Sequence, residues 1–356
     1  MTPHDPVSVE AVPKIELHVH LEGTVEPATV LDIAARNGLA LPVSTVDELS
    51  ALYRVTTFSD FLRLWILTTN VLRKAEDFSQ VVVDYARRAK RHGAVYIEGI
   101  FSPVERVMRG VGWAEIFDGY CEGAERAYAE HGVVVRLTPE AYRGADPELV
   151  AEMVRYAGRY RDRGVVGVGI GGDERARPTR HYAAAFAPAV DLGLGVVPHA
   201  GEFPLFPDGA SGAATLRETI EALNPVRIRH GIAAAADPAL VAVIRERGIV
   251  LDVCPTSNLR TGAIRDLADH PLPRLAAAGI PCTVGTDDPA VFDTDLSREF
   301  TIAARLGVEP RLLYDAGITG ALCDDDVKSH LRQIGAATTW PTTTATWSTT
   351  AAGESL

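Results

Sequence analysis

The feature that most constrains the fold is a recurrence. Eight short runs rich in apolar and β-branched residues are separated by longer amphipathic stretches: KIELHVH (14–20), AVYIEGIF (94–101), VVVRLT (133–138), VVGVGI (165–170), GVVPHA (195–200), VRIRH (226–230), IVLDVC (249–254) and PCTVGT (281–286). Near-continuous apolar strands joined by helices predict a parallel sheet covered on its outer face. Eight such units suggest closure into a (β/α)8 TIM barrel. The length of 356 residues, 47% of them hydrophobic, accommodates either one barrel with insertions or two ordinary domains, and composition alone does not choose.

The first crossover, from about residue 24 to 92, is far longer than a βα connection needs. It holds at least two helical patterns, including EPATVLDIAARNG, with Gly38 as a C-cap. Extra helices inserted after strand 1 sit on the catalytic face and could form a lid. Phe58, Phe61, Leu62 and Trp65 make an apolar stripe at helical spacing, read first as core. From residue 336 the chain becomes AATTWPTTTATWSTTAAGESL, without apolar periodicity, so residues 1–335 are expected to form the domain and 336–356 a disordered tail.

A net charge of −12 argues against nucleic acid or an anionic membrane as partner and favours a small molecule. No apolar run approaches the roughly 18 residues of a membrane helix. The first residues lack a basic segment followed by an apolar one, so a cytoplasmic protein is expected. Cys121, Cys254, Cys282 and Cys323 form no CxxC pair, which argues against disulfides or a thiolate metal site. Oligomeric state is not legible.

His18 and His20 lie two apart at the end of the first predicted strand, which turns both side chains to one face. An HxH pair alone is a weak signal. Here, however, His199, His230, Asp287 and Asp288 also fall at strand ends, where barrel enzymes gather their catalytic groups. Three imidazoles and a carboxylate suit zinc, which lowers the pKa of a bound water. Glu202, three residues beyond His199 in PHAGEF, is placed to carry a proton.

The ordered motifs PKIELHVHLEG, YIEGIFSP, GIGGDE, PHAGE, RIRHG, LDVCPTSN and TDDP resemble the adenosine deaminase family over about residues 12 to 335. The resemblance implies a (β/α)8 barrel with one zinc ion per subunit, bound by His18, His20, His199 and Asp287. It further implies Glu202 as the acid that protonates purine N1 and His230 as the group that orients the attacking oxygen. Asp288 would hydrogen-bond near N7, and the Gly172 amide would meet N3. Phe61, Leu62 and Trp65 of SDFLRLW would face the substrate.

Adenosine-specific members resemble one another in having aspartate where this chain has Glu22, the position associated with the ribose 5′-hydroxyl. HLEG is similar to the adenine deaminase branch, whereas GIFSPVERV looks more like the nucleoside-type members. SPVERVMRGVGWAEIFDGYCEGA resembles deaminases of 6-aminodeoxyfutalosine, whose acidic aromatic 5′ group could pair with Arg106, Arg109 or Arg175. Gly169 and Gly171 are expected to leave room near the sugar. An adenosine-like nucleoside, adenine and 6-aminodeoxyfutalosine thus stand as candidate substrates. A lactone- or amide-cleaving zinc hydrolase on the same barrel is a rival class, and a binding protein that lost the chemistry is another.

Overall fold

The computed structural model describes residues 8–55 and 58–342, leaving aside the side chains at 58, 59, 61 and 62. Nine parallel strand segments form the core: β1 Lys14–His20, β2 Ala94–Phe101, β3 Val134–Tyr142, β4 Gly167–Gly171, β5 Gly195–Val196, β6 His199–Ala200, β7 Arg227–His230, β8 Val250–Val253 and β9 Cys282–Val284. They pair in chain order as two arcs, β1 to β5 and β6 to β9. This is the staves-and-helices plan of a (β/α)8 barrel, with a hydrogen-bond ladder that is not continuous around the ring.

The two interruptions have local causes. The fifth predicted strand, 195–200, divides at Pro198, which has no N–H to give to a ladder. Val197 N–H still donates to Val168 O (2.9 Å), and Pro198 O accepts from Arg229 N–H (3.0 Å). The two short segments are therefore one stave that changes partner at the proline. At the other seam, His20 N–H donates to Asp287 O (2.8 Å) and Asp287 N–H to His18 O (3.1 Å). This single exchange sets Asp287 against the histidine pair.

The predicted strands agree with the observed ones to within a residue or two at most ends, but β3 runs four residues past its expected end at 138. That extension carries Glu140 into the buried site described below. Between β1 and β2 stand four helices, α1 Pro27–Arg36, α2 Val46–Leu52, α3 Phe58–Thr69 and α4 Ala75–Arg91. Gly38 takes a left-handed φ of 64° just past α1, as its C-cap assignment requires. A capping box starts α2: Glu48 N–H donates to Thr45 Oγ1 and Thr45 N–H to Glu48 Oε2, each at 3.2 Å.

After β2 come the short α5, Pro103–Val107, and the long α6, Trp113–His131. Gly119 and Gly123 of α6 let it lie close on α4, since a Cβ there would come within 2.4 Å of Ala75 O and 2.8 Å of Ser79 O. A helix spans Asp325–Ala337, the Trp340 ring lies 5.2 Å from that of Tyr314, and its Nε1–H donates to Gly335 O (2.9 Å). An indole that buries its face and pairs its N–H thus anchors the start of the expected tail; residues 343–356 lie outside the described residues.

Beneath the site the barrel interior is polar. Arg227, fully buried, pairs through Nη2 with Glu98 (2.6 Å) and through Nε with Asp252 (2.5 Å). Two residues on, Arg229 points to the same side, pairs with Glu140 and donates to Thr138 Oγ1 (2.7 Å). Breaking a buried pair leaves an uncompensated charge. Arg227→Met, which abandons two carboxylates, is expected to lower unfolding free energy by about 3–5 kcal/mol in a denaturant titration. A loss below about 1 kcal/mol, the scale of an exposed pair, would mean that this network does not hold the barrel.

Candidate active site

The ends of β1, β6, β7 and β9 bring His18, His20, His199, His230 and Asp287 together. One ligand atom each from His18, His20, His199 and Asp287 lies within 4.8 Å of every other. His18 Nε2 is 3.1 Å and His20 Nε2 3.2 Å from His199 Nε2, while Asp287 Oδ1 is 3.4 and 3.3 Å from the Nε2 atoms of His18 and His20.

The outer nitrogens show what those inner atoms carry. His18 Nδ1–H donates to the carbonyl of Asp252 (3.0 Å), and His199 Nδ1–H donates to Glu140 Oε2 (2.7 Å). Each ring, while neutral, therefore turns an unprotonated Nε2 inward. Burial holds His199 down to about 3, against the pull of Glu140, so it stays neutral. Two lone pairs 3.1 Å apart repel unless positive charge lies beside them. A divalent cation meets that demand, and this donor set, three imidazole nitrogens and one carboxylate oxygen, fits zinc.

Asp287 is held from its other oxygen by Ser257 Oγ–H (2.6 Å) and takes a left-handed φ of 61°. Burial alone would raise its pKa, yet the imidazoles of His18, His20 and His230 hold it well below the ordinary value. Its neighbour goes the other way. Burial, with the charges of Asp287 and Glu22 and against that of His20, pushes Asp288 up to about 8, and its Oδ1 meets no hydrogen-bond partner. A glycine at 23 is what leaves space for that oxygen, since a Cβ there would stand 1.9 Å from it.

His230, also at a left-handed φ (64°), has Nε2 3.7 Å from Asp287 Oδ2 and 3.9 Å from Glu202 Oε2. Burial, followed by the charges of Asp287 and Glu174, pushes Glu202 up to about 8. Glu174, the last residue of GIGGDE, accepts from the N–H groups of Gly201 (2.8 Å) and Glu202 (3.0 Å) and from Thr215 Oγ–H (2.7 Å). It ties down the loop that presents Glu202. A second grouping of His18, His230 and Cys254 shares a histidine with the first, and burial raises the Cys254 thiol well above its usual pKa. It suits a thiolate ligand poorly.

Among the substrate-facing candidates, Gly172 follows β4 with φ 78°. The Trp65 ring stands edge-on to His20, centroids 6.1 Å apart, and its Nε1–H donates to Glu105 (3.3 Å). The side chains of Phe61 and Leu62 lie outside the described residues. Glu22 is buried, accepts Ser102 N–H at Oε1 (2.8 Å), and has no partner at Oε2. The expectation that Gly169 and Gly171 leave room near a sugar is wrong. A Cβ at 171 would lie 2.3 Å from Glu140 Oε1, and one at 169 would lie 2.5 Å from Arg229 Nη1. The space those glycines free is filled by the buried ion pair.

Sequence reasoning missed Glu140, Arg229, Glu174, Ser257, Asn258 and His270. Ser257, Asn258 and Glu174 stand inside LDVCPTSN and GIGGDE, where strand-end position was an available signal. Glu140 was hidden by Pro139, a residue type that ordinarily stops a central strand. His270 arrives from a loop with no pattern at all.

Comparison with known proteins agrees with this architecture. The model of the adenosine deaminase family matches residues 13–334. The aminodeoxyfutalosine deaminase of Streptomyces coelicolor is 34% identical over 315 residues, 88% of this chain and 80% of that protein. The adenine deaminase of Cupriavidus necator is 37% identical over 284 residues, 80% and 79% of the two chains. A crystal structure of adenine deaminase from Arthrobacter aurescens superposes with a TM-score of 0.83 at 28% identity, covering 92% of this chain and 98% of that one. A zinc-bound amidohydrolase from Burkholderia ambifaria gives 0.82 at 26% identity, with 94% of each covered. By its motifs, its barrel and these relatives, the chain belongs to the adenosine deaminase family and is a hydrolytic deaminase.

Proposed function

We propose that this chain, through the domain of residues 1–335, removes the 6-amino group of an adenine-containing nucleoside, using one zinc ion held by His18, His20, His199 and Asp287. The observation that carries the proposal is the neighbourhood of that cluster: a protonatable Glu202, a His230 nitrogen facing the same space, and an Asp288 oxygen with no partner of its own. Bound there, zinc supplies Lewis-acid activation of a water at neutral pH.

The chain's own residues account for the rest. Glu202, kept protonated to about pH 8, gives its proton to N1 as the water oxygen adds to C6, and takes up the proton that the water gives up. His230 steadies the attacking oxygen. Asp288, protonated at neutral pH, donates to N7, which carries only a lone pair. The new C6 hydroxyl passes its proton to the departing amino group as the C–N bond breaks, leaving ammonia and a 6-oxopurine. Gly172 N–H meets N3, and Trp65 covers the ring. These groups are fixed before charge develops on the purine, so they favour the transition state. A lactonase or a silent binding protein needs neither a protonated Asp288 nor a Glu202 pushed up to about 8.

A second reading concerns the 5′ end. Arg175 bonds Asp208 and lies over the Phe206 ring, and Arg109 bonds Asn70 at the surface, but Arg106 is buried beside Glu22 with Nε and Nη1 unpartnered. A buried guanidinium with free N–H groups favours a substrate with an acidic 5′ substituent, as in 6-aminodeoxyfutalosine.

Metal analysis should find one zinc per chain, and Glu140→Gln, which weakens the support of His199 and leaves Arg229 without its carboxylate, should lower zinc affinity about 10- to 100-fold and also lower stability. Glu202→Gln should keep zinc and lose turnover. For the unaltered protein kcat/KM should fall as pH rises through about 8, because the acid must be protonated and its raised pKa delays that loss. In a panel of adenosine, 2′-deoxyadenosine, adenine and 6-aminodeoxyfutalosine, Arg106→Gln should raise KM only for the acidic substrate. An equal effect on all four would remove Arg106 from recognition, and lactone hydrolysis without ammonia release would overturn the deaminase assignment.

A further inference from the structure

We propose that His270 and Asn258 are positioning residues that fix the proton of His230 on Nε2, so that this imidazole meets the reacting oxygen as a hydrogen-bond donor and not as a base. The inference rests on His230 working in the site, as proposed above, and follows from one backbone amide outward.

Leu272 N–H can only donate, and it donates to His270 Nδ1 (3.0 Å). That nitrogen must carry a lone pair, so the proton of neutral His270 is on Nε2. Burial holds the His270 pKa down to about 4, which keeps the ring neutral. His270 Nε2–H faces Asn258 Oδ1 at 3.2 Å and donates to it. The orientation of the Asn258 amide follows: its NH2 group is turned to His230 Nδ1, 3.3 Å away, which must accept. His230 therefore holds its proton on Nε2, the nitrogen 3.7 Å from Asp287 Oδ2 and 3.9 Å from Glu202 Oε2.

Every member is buried: His270 is 3%, Asn258 0% and His230 1% exposed, so water does not scramble these directions. A second proton on His230 would have to sit on Nδ1 and point at amide hydrogens. Reversing the amide to admit it would set Asn258 NH2 against His270 Nε2–H. The relay thus excludes His230 as acceptor of the water's proton and leaves that task to Glu202. The catalytic contact is made by His230; Asn258 and His270 act through it.

The test reads the tautomer directly. In zinc-loaded protein labelled with 15N-histidine, long-range 1H–15N correlation should give His230 the Nε2–H pattern, its signals identified by their loss in His230→Gln. Asn258→Asp offers His230 Nδ1 an acceptor and should move the proton there, with kcat down about 10- to 100-fold and zinc content unchanged. His270→Gln, which can still donate to Asn258, should keep the Nε2–H pattern, whereas His270→Phe should not. A purely structural role predicts loss of stability without a change of tautomer. Finding the proton on Nδ1 in the unaltered protein overturns the proposal, as does an Asn258→Asp protein with unchanged tautomer and kcat. If Asn258→Asp does not fold, the unaltered protein and His270→Gln still decide. The spectrum needs no substrate, so failure of the tautomer assignment and failure of the deaminase reading are told apart.

Discussion

The site depends on an unfavourable contact: the inner nitrogens of His18 and His199, turned toward each other 3.1 Å apart at the mouth of the barrel. Two outer hydrogen bonds hold His18 and His199 in that arrangement, to the Asp252 carbonyl and to the Glu140 carboxylate. Glu140 can act so only because it is ionised. Burial disfavours that, but His199 and Arg229 overcome it and keep the carboxyl far below its ordinary value. Arg229 is in turn fully buried one turn of the pleat above Arg227, whose partners Glu98 and Asp252 belong to other strands, β2 and β8. The metal-binding potential of the surface layer is thus set by charges placed deeper in the barrel. Gly169 and Gly171 belong to the same layer, since any side chain there would displace the carboxylate or the guanidinium.

Much of the fold was legible because it repeats. Eight apolar runs at strand length are hard to produce by any other architecture, and His18, His20, His199, His230 and Asp287 announced themselves by falling at strand ends. The illegible parts share a cause: each depends on which residues become neighbours across the ring. Glu140 is an isolated acid after a proline until β3 is carried on beside β4, with which it pairs at Gly169. Asn258 has motif context but no direction without His270, and His270 has no context at all. The glycines of GIGG were misread for the same reason. A missing side chain is visible in sequence, whereas the group that fills its place comes from another strand.

Backbone strain is concentrated where the chemistry is proposed. Among the described residues only four other than glycine have positive φ, and two of them are His230 and Asp287. Such conformations persist where surrounding structure enforces them. For Asp287 the enforcement is the paired exchange with His18 and His20, which forms the seam of the barrel. For His230 it is the β6 to β7 pairing, with Gly231 N–H bonded to Ala200 O (3.0 Å) directly after it.

The seam also explains how adjacent carboxyl groups can take opposite protonation states. Asp287, turned by its left-handed backbone into the imidazoles, is held ionised; Asp288, one residue on, passes under Gly23, where burial and the charge of Asp287 outweigh the pull of His20. Two charges that near would repel, so fixing one as an anion makes the other neutral. Neutrality is what a carboxyl needs in order to donate to a purine nitrogen. The turn that completes the proposed metal cluster therefore also generates the proposed hydrogen-bond donor beside it, and neither property could be tuned without moving the other.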